Sequence, residues 1–235
     1  MRKVALLATT VVAAVGMTSP ALAVNADQGL DISISPTKAG TKKKPANVKL
    51  KVTTTTTPKD ATAFATRQAV IHFDKNLVFS PSKFKTCTAA TVQSNESSCP
   101  SGSKVGSGSA LGTAIGQTSN LTVSAYNGSG GKLLLHVTAA TPLQIDSVIT
   151  ASLKTDTGKY GKKLVVPIPD NLQQPVPGVF ATLKQFITTV KATSKGVPYV
   201  GLAGCPSSKK LSFKGDFTFT DGTSLSATDT VACKK

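Results

Sequence analysis

The 235-residue chain carries 27 lysines and arginines against 11 aspartates and glutamates, a formal charge of +16, with four cysteines, two histidines and no tryptophan. So few histidines and such scattered acids argue against a multi-ligand metal centre or a paired-carboxylate active site, and the scarcity of aromatics argues against a sugar-stacking platform. After Arg2 the only arginine is Arg67, so forked recognition of nucleic-acid bases is not expected, whereas diffuse attraction of lysines to an anionic polymer or surface is.

Met1-Arg2-Lys3 is followed by an uncharged apolar run over residues 4–17 and by Ala21-Leu22-Ala23. A basic start, a short apolar middle and small residues at −3 and −1 are the pattern of a secretory signal, so residues 1–23 are expected to be a signal peptide cleaved after Ala23. The apolar run falls short of the roughly 20 residues that span a bilayer. The expected product is therefore secreted, extracellular or cell-wall associated, without a transmembrane segment.

From residue 24 onward, alternation of apolar and polar residues prevails over helical periodicity. Strands are expected over 30–35, 47–57, 67–74, 121–126, 132–139, 147–153, 162–168, 181–192, 211–220 and 224–232. Between the first two lies Lys38-Ala39-Gly40-Thr41-Lys42-Lys43-Lys44-Pro45, which glycine, proline and charge mark as a protruding loop. The five threonines at 53–57 suit an exposed sheet face, being β-branched. Residues 106–112 (GSGSALG) lack the spacing and the following helix of a phosphate loop and read as a glycine-bearing strand or bulge. Asn127-Gly128-Ser129-Gly130-Gly131 marks a flexible turn, and Asp221-Gly222 between two alternating runs marks a hairpin. Residues 166–178 hold four of the 13 prolines, which read as an extended crossover or an edge.

Export permits disulfides among Cys87, Cys99, Cys205 and Cys233, and four cysteines allow three connectivities that the sequence does not decide. The local pairs, Cys87 with Cys99 and Cys205 with Cys233, are favoured, because each brackets a segment whose ends can meet. Closing such loops is worth about 3 kcal/mol each. Strands at short intervals without intervening helices predict an all-β chain, an antiparallel immunoglobulin-like β-sandwich stapled by disulfides. A single domain over residues 24–235 is expected, since the piece after 178 makes a marginal sandwich alone; subdivision near 166–178 is the alternative.

Cys87, the segment Cys99-Pro100-Ser101-Gly102-Ser103-Lys104-Val105-Gly106, Tyr126-Asn127 and Gly158-Lys159-Tyr160-Gly161 together resemble a pattern of secreted actinobacterial β-rich proteins of unknown function (C…CPxxSxVG…YN…GxYG). The resemblance runs loosely over most of residues 24–235 and implies an extracellular β-rich domain. It brings no activity, so it assigns no functional residue.

His72 shares a strand face with Val70 and Asp74, and His136 with Leu134 and Thr138. Neither position alone makes a catalytic group, and structural histidines are expected. No GxSxG elbow is present. The function expected from the residues is a non-enzymatic, envelope-associated structural or adhesive module without a cofactor. Lys38, Lys42, Lys43 and Lys44 are its expected contacts with an anionic cell-wall polymer or surface protein, extended by Lys83, Lys85, Lys159, Lys162, Lys163, Lys209, Lys210, Lys234 and Lys235 if the fold gathers them. The alternatives are a secreted hydrolase whose site forms only in the fold, and a domain that binds a protein partner along a sheet edge.

Overall fold

A computed structural model describes residues 24–235; the expected signal peptide lies outside the described residues. The strands are β1 (Ala26–Ser35), β2 (Ala46–Asn47), β3 (Lys49–Pro58), β4 (Thr66–Asp74), β5 (Leu77–Phe79), β6 (Lys104–Ala114), β7 (Gln117–Asn127), β8 (Lys132–Ala139), β9 (Ile145–Thr155), β10 (Tyr160–Pro167), β11 (Thr182–Val190), β12 (Thr193–Ser194), β13 (Val197–Pro198), β14 (Val200–Leu202), β15 (Lys210–Phe219) and β16 (Ser224–Ala232). Two short helices, α1 (Ala89–Asn95) and α2 (Asp170–Gln173), interrupt them. The disulfides are Cys87–Cys99 and Cys205–Cys233. Among the described residues no helix is long and apolar enough to cross a membrane.

The all-β, antiparallel character follows the alternation. Along β15, Leu211, Phe213, Gly215, Phe217 and Phe219 are buried at every second position, as the period of a strand requires. An immunoglobulin-like sandwich of two facing sheets is not confirmed. Eleven strands instead pair into one continuous sheet in the order β1-β3-β11-β6-β7-β8-β9-β10-β4-β15-β16. The difference arises at β10 and β11, which flank the proline-rich stretch. A sandwich needs free edges there, yet β10 pairs with both β4 and β9, and β11 with both β3 and β6. The prolines fall where β10 ends and in residues 168–181, which cross from one part of the sheet to the other and leave the strand interiors free to pair.

Every neighbouring pair in this sheet is antiparallel. An odd number of strands then obliges the two outer strands, β1 and β16, to run the same way when the sheet curls round. They meet in that sense: the Val24 amide donates to Asp221 Oδ2 (2.7 Å), the Ile32 amide to Asp229 Oδ2 (2.7 Å), and the Lys234 amide to the Thr37 carbonyl (2.9 Å). The result is a nearly closed, barrel-like sheet whose seam is tied largely by aspartate side chains rather than by a backbone ladder.

The end at which β1 finishes and β3 begins, the upper end, is covered by a small sheet of β2, β14 and β5. Tyr199, just before β14, packs edge-on against Phe84 with ring centroids 5.0 Å apart. At the lower end Phe64 meets Phe219 edge-on at 5.2 Å, and the Thr182 hydroxyl donates to the Phe64 carbonyl. Eight strands already make a barrel interior that side chains fill, so eleven enclose more space unless the inward residues are large. Many here are valine, threonine, alanine and leucine. A cavity of about 100 Å³ remains, reaching from Leu50, Val190 and Tyr199 at the upper end to Thr56 and Thr66 near the lower. A second, of about 70 Å³, adjoins it at the lower end and shares Thr66, Ile149, Ile168, Leu183 and Phe186 as wall. Left empty, a void of the larger volume costs about 2 kcal/mol relative to a filled core.

Candidate functional site: the lysine-bearing end of the barrel

Residues 37–45 leave β1 at the upper end beside the seam. The Ala39 amide donates to the Lys234 carbonyl (2.8 Å) and the Gly40 amide to the Leu202 carbonyl (2.9 Å), which fixes the base of the loop. Gly40 is required by this path, because a Cβ there would fall 2.3 Å from the Lys44 carbonyl oxygen and 2.5 Å from the Ala46 nitrogen. The Thr41 amide donates to the Lys44 carbonyl, and the Lys44 amide returns a bond to Thr41 Oγ1 (3.1 Å). The tip is thus a tight, self-bonded turn that exposes Lys42, Lys43 and Lys44, with Lys38 exposed at its base. None of the four joins a salt bridge among the described residues.

The topology gathers far more lysine than this loop. Strands that descend from the upper end begin with lysine: Lys49 and Lys51 on β3, Lys104 on β6, Lys132 on β8, Lys162 and Lys163 on β10, Lys210 on β15. Segments that follow the ascending strands carry it too, as with Lys38 after β1, Lys75 after β4, Lys159 after β9, Lys191 after β11 and Lys234 after β16. Lys83 and Lys85 are brought to the same end by Asn127, at the upper end of β7, whose side-chain amide donates to the Pro81 and Lys85 carbonyls (3.0 and 3.1 Å). Lys209 arrives through its carbonyl, which accepts from the Cys233 amide. Apart from Lys59, Arg67 and Lys184, every lysine and arginine among the described residues lies in the upper half of the barrel.

The acids are sorted differently. Asp27, Asp60, Asp146, Asp170 and Asp221 lie at or near the lower end. In the upper half, Asp74 is buried and holds the Ser212 and Asn76 amides (both 2.9 Å), and Asp229 holds the seam. Asp156 bonds His72 and lies near Lys163, while Asp216 bonds His72, Lys214 and Ser226. Burial alone would raise the pKa values of both carboxyls, but these bonds outweigh it and hold them below the usual aspartate value. Such acids are occupied within the barrel wall and leave the loop lysines uncompensated.

Both histidines sit between two carboxylates, a convergence invisible when acids look scattered along the chain. His72 Nδ1 lies 2.5 Å from Asp156 and Nε2 3.0 Å from Asp216. His136, covered by α1, has Nδ1 3.1 Å from Glu96 and Nε2 2.8 Å from Asp146. At His136, burial opposes the charged ring, and the bonds to Asp146 and Glu96 outweigh it, so its pKa is raised; the His136 bond lowers that of Glu96. His136 therefore adds stability that is complete below about pH 6.5 and fades as pH rises through its raised folded pKa, whereas Glu96 adds stability lost as pH falls below about 4.5. His136→Gln is expected to lower the unfolding free energy by about 1 kcal/mol near pH 5.5 and by less near pH 9. Denaturant unfolding at the two pH values checks this, and equal losses at both contradict it.

No family model and no curated protein matches the chain. Among solved structures, the N-terminal domain of the Streptococcus gordonii adhesin Sgo0707 aligns at 14% identity with a TM-score of 0.35, over 88% of this chain and 32% of that one. A likeness this loose carries no argument, and this chain spans about a third of that adhesin-domain chain.

Proposed function

We propose that the protein is a secreted, non-enzymatic envelope module that docks on an anionic surface polymer through the upper end of its barrel. The observation that carries the reading is the sorting of nearly all lysines to that end, where Asp74, Asp156, Asp216 and Asp229 are engaged within the barrel wall. Such a molecule has a strong charge asymmetry along its long axis, and an anionic surface orients it end-on before any contact forms. Lys38, Lys42, Lys43 and Lys44, exposed on the loop that leaves β1 at that end, are the first contacts. Two disulfides suit a non-cytoplasmic compartment.

The bonding of both ring nitrogens in each histidine supports the non-enzymatic reading over the hydrolase. A general base needs a free nitrogen facing substrate, and among the described residues neither ring bonds a serine. The test is co-sedimentation of the purified protein with isolated envelopes from about 50 to 500 mM salt, a range that progressively screens exposed charges. Binding that falls steadily with salt is the expected result. Binding insensitive to salt contradicts the docking mode and favours the protein-partner alternative.

A further inference from the structure

We infer that the barrel interior is a binding site for one unbranched hydrocarbon chain, such as the acyl chain of a fatty acid or of a single-chain lipid, entered from the lower end. The proposal goes beyond the surface-docking reading and does not depend on it, since the docking lysines occupy the opposite end.

The shape of the space selects the ligand. Along β3 the larger cavity extends from Leu50 to Thr56, six residues, which at about 3.3 Å per residue is roughly 20 Å. About 100 Å³ open to the centre of a water-sized sphere, spread along that distance, is a narrow space that suits a single file of methylene groups. The wall is almost wholly apolar, with Val52, Ile71, Leu135 and Phe186 among its residues. Apolar cavities of this order stay dry and take up apolar molecules.

The second cavity supplies the route. It lies against the first across the shared wall of Ile149 and Phe186 and is bounded at the lower end by Leu143, Leu172 and Pro175. These three residues come from connections outside the strand ladders, and all are only partly buried. At the same end of the barrel Ile115, at the tip of the β6–β7 hairpin, is 62% exposed and has a φ of 52°. A β-branched residue in that conformation goes against turn preference, and it places an apolar side chain at the mouth's own end of the barrel.

Two probes separate the sources of the chain: palmitate, and a lysophosphatidylglycerol bearing a palmitoyl chain. Each is mixed with the disulfide-intact protein and followed by native mass spectrometry, calorimetry and thermal unfolding. A one-to-one complex that raises the unfolding temperature is expected with palmitate. If the lysolipid binds as well, the mouth admits a headgroup outside it; if it binds while palmitate does not, the chain is still the ligand and the headgroup is required. Val52→Phe, and separately Ala69→Leu, fill the larger cavity. Each is expected to reduce affinity at least tenfold, with a folded circular-dichroism spectrum and a raised unfolding temperature in the absence of ligand. Failure of both probes to bind overturns the proposal, and so does undiminished binding by whichever variant folds.

Discussion

Asn127→Leu is expected to lower the unfolding free energy by about 4 kcal/mol, near the upper end of single substitutions. Asn127 is fully buried. Its amide nitrogen donates to the Pro81 and Lys85 carbonyls, with Phe84 a longer third partner, and its Oδ1 accepts from the Tyr199 hydroxyl at 3.1 Å. Leucine has the same branching at Cγ but a larger volume, so it crowds the site as well as offering none of these bonds. The buried Tyr199 hydroxyl and the part-buried Pro81 and Lys85 carbonyls then lose their partner, and a group left unpaired in the interior costs about 1–3 kcal/mol. Burial has already pushed the Tyr199 hydroxyl pKa up to about 12, so ionisation gives that group no relief at ordinary pH. The damage is directional. Residues 81–85 and the Tyr199 cover over the upper end lose their shared anchor, so Lys83 and Lys85 lose their fixed positions. Urea unfolding measures the loss, and a change below about 1 kcal/mol would show that the network matters little.

Neutralising the loop tip, with Lys42, Lys43 and Lys44 each changed to Gln, is the second large effect. A lysine held near an anionic surface contributes about 1 kcal/mol. Removing three is expected to weaken envelope binding about 100-fold at low salt, with the difference shrinking as salt rises. Stability should scarcely change, because the turn is held by Thr41 and backbone groups rather than by the lysine side chains. Measuring affinity and unfolding on the same preparation separates the two. Unchanged affinity at low salt would move the contact away from this loop.

The strands were largely legible because they alternate: the segments expected over 132–139 and 224–232 coincide with β8 and β16. The Asp221-Gly222 hairpin was equally plain, since only a tight turn fits two alternating runs separated by that pair. Strand partnership was not legible. Whether β10 stops at an edge or joins β4 to β9 depends on contacts distant in sequence, and the prolines of 166–178, which suit a crossover or an edge, do not decide it; they form the crossover from β10 to β11. Alternation alone therefore does not distinguish a single curled sheet from two facing ones. The lysine end was half legible. Lys38 and Lys42–Lys44 stand together in sequence, whereas Lys104, Lys132, Lys162 and Lys210 converge only once alternate strands are known to start from one end. That signal lay in the sequence as lysine at the head of every second strand, and topology was needed to read it. The carboxylate clamps on His72 and His136 left no such trace, because their partners lie between 10 and 144 residues away.

End-on docking is tested most directly by comparing two sets of charge removals against the same envelope preparation at low salt. One set changes Lys42, Lys43, Lys44, Lys209 and Lys210 to glutamine at the upper end; the other changes Lys59, Arg67 and Lys184 to glutamine towards the lower end. Loss of binding with the first set and wild-type binding with the second is the predicted result. Comparable loss per charge removed from either end would contradict it, because binding would then follow total charge and not its placement by the fold.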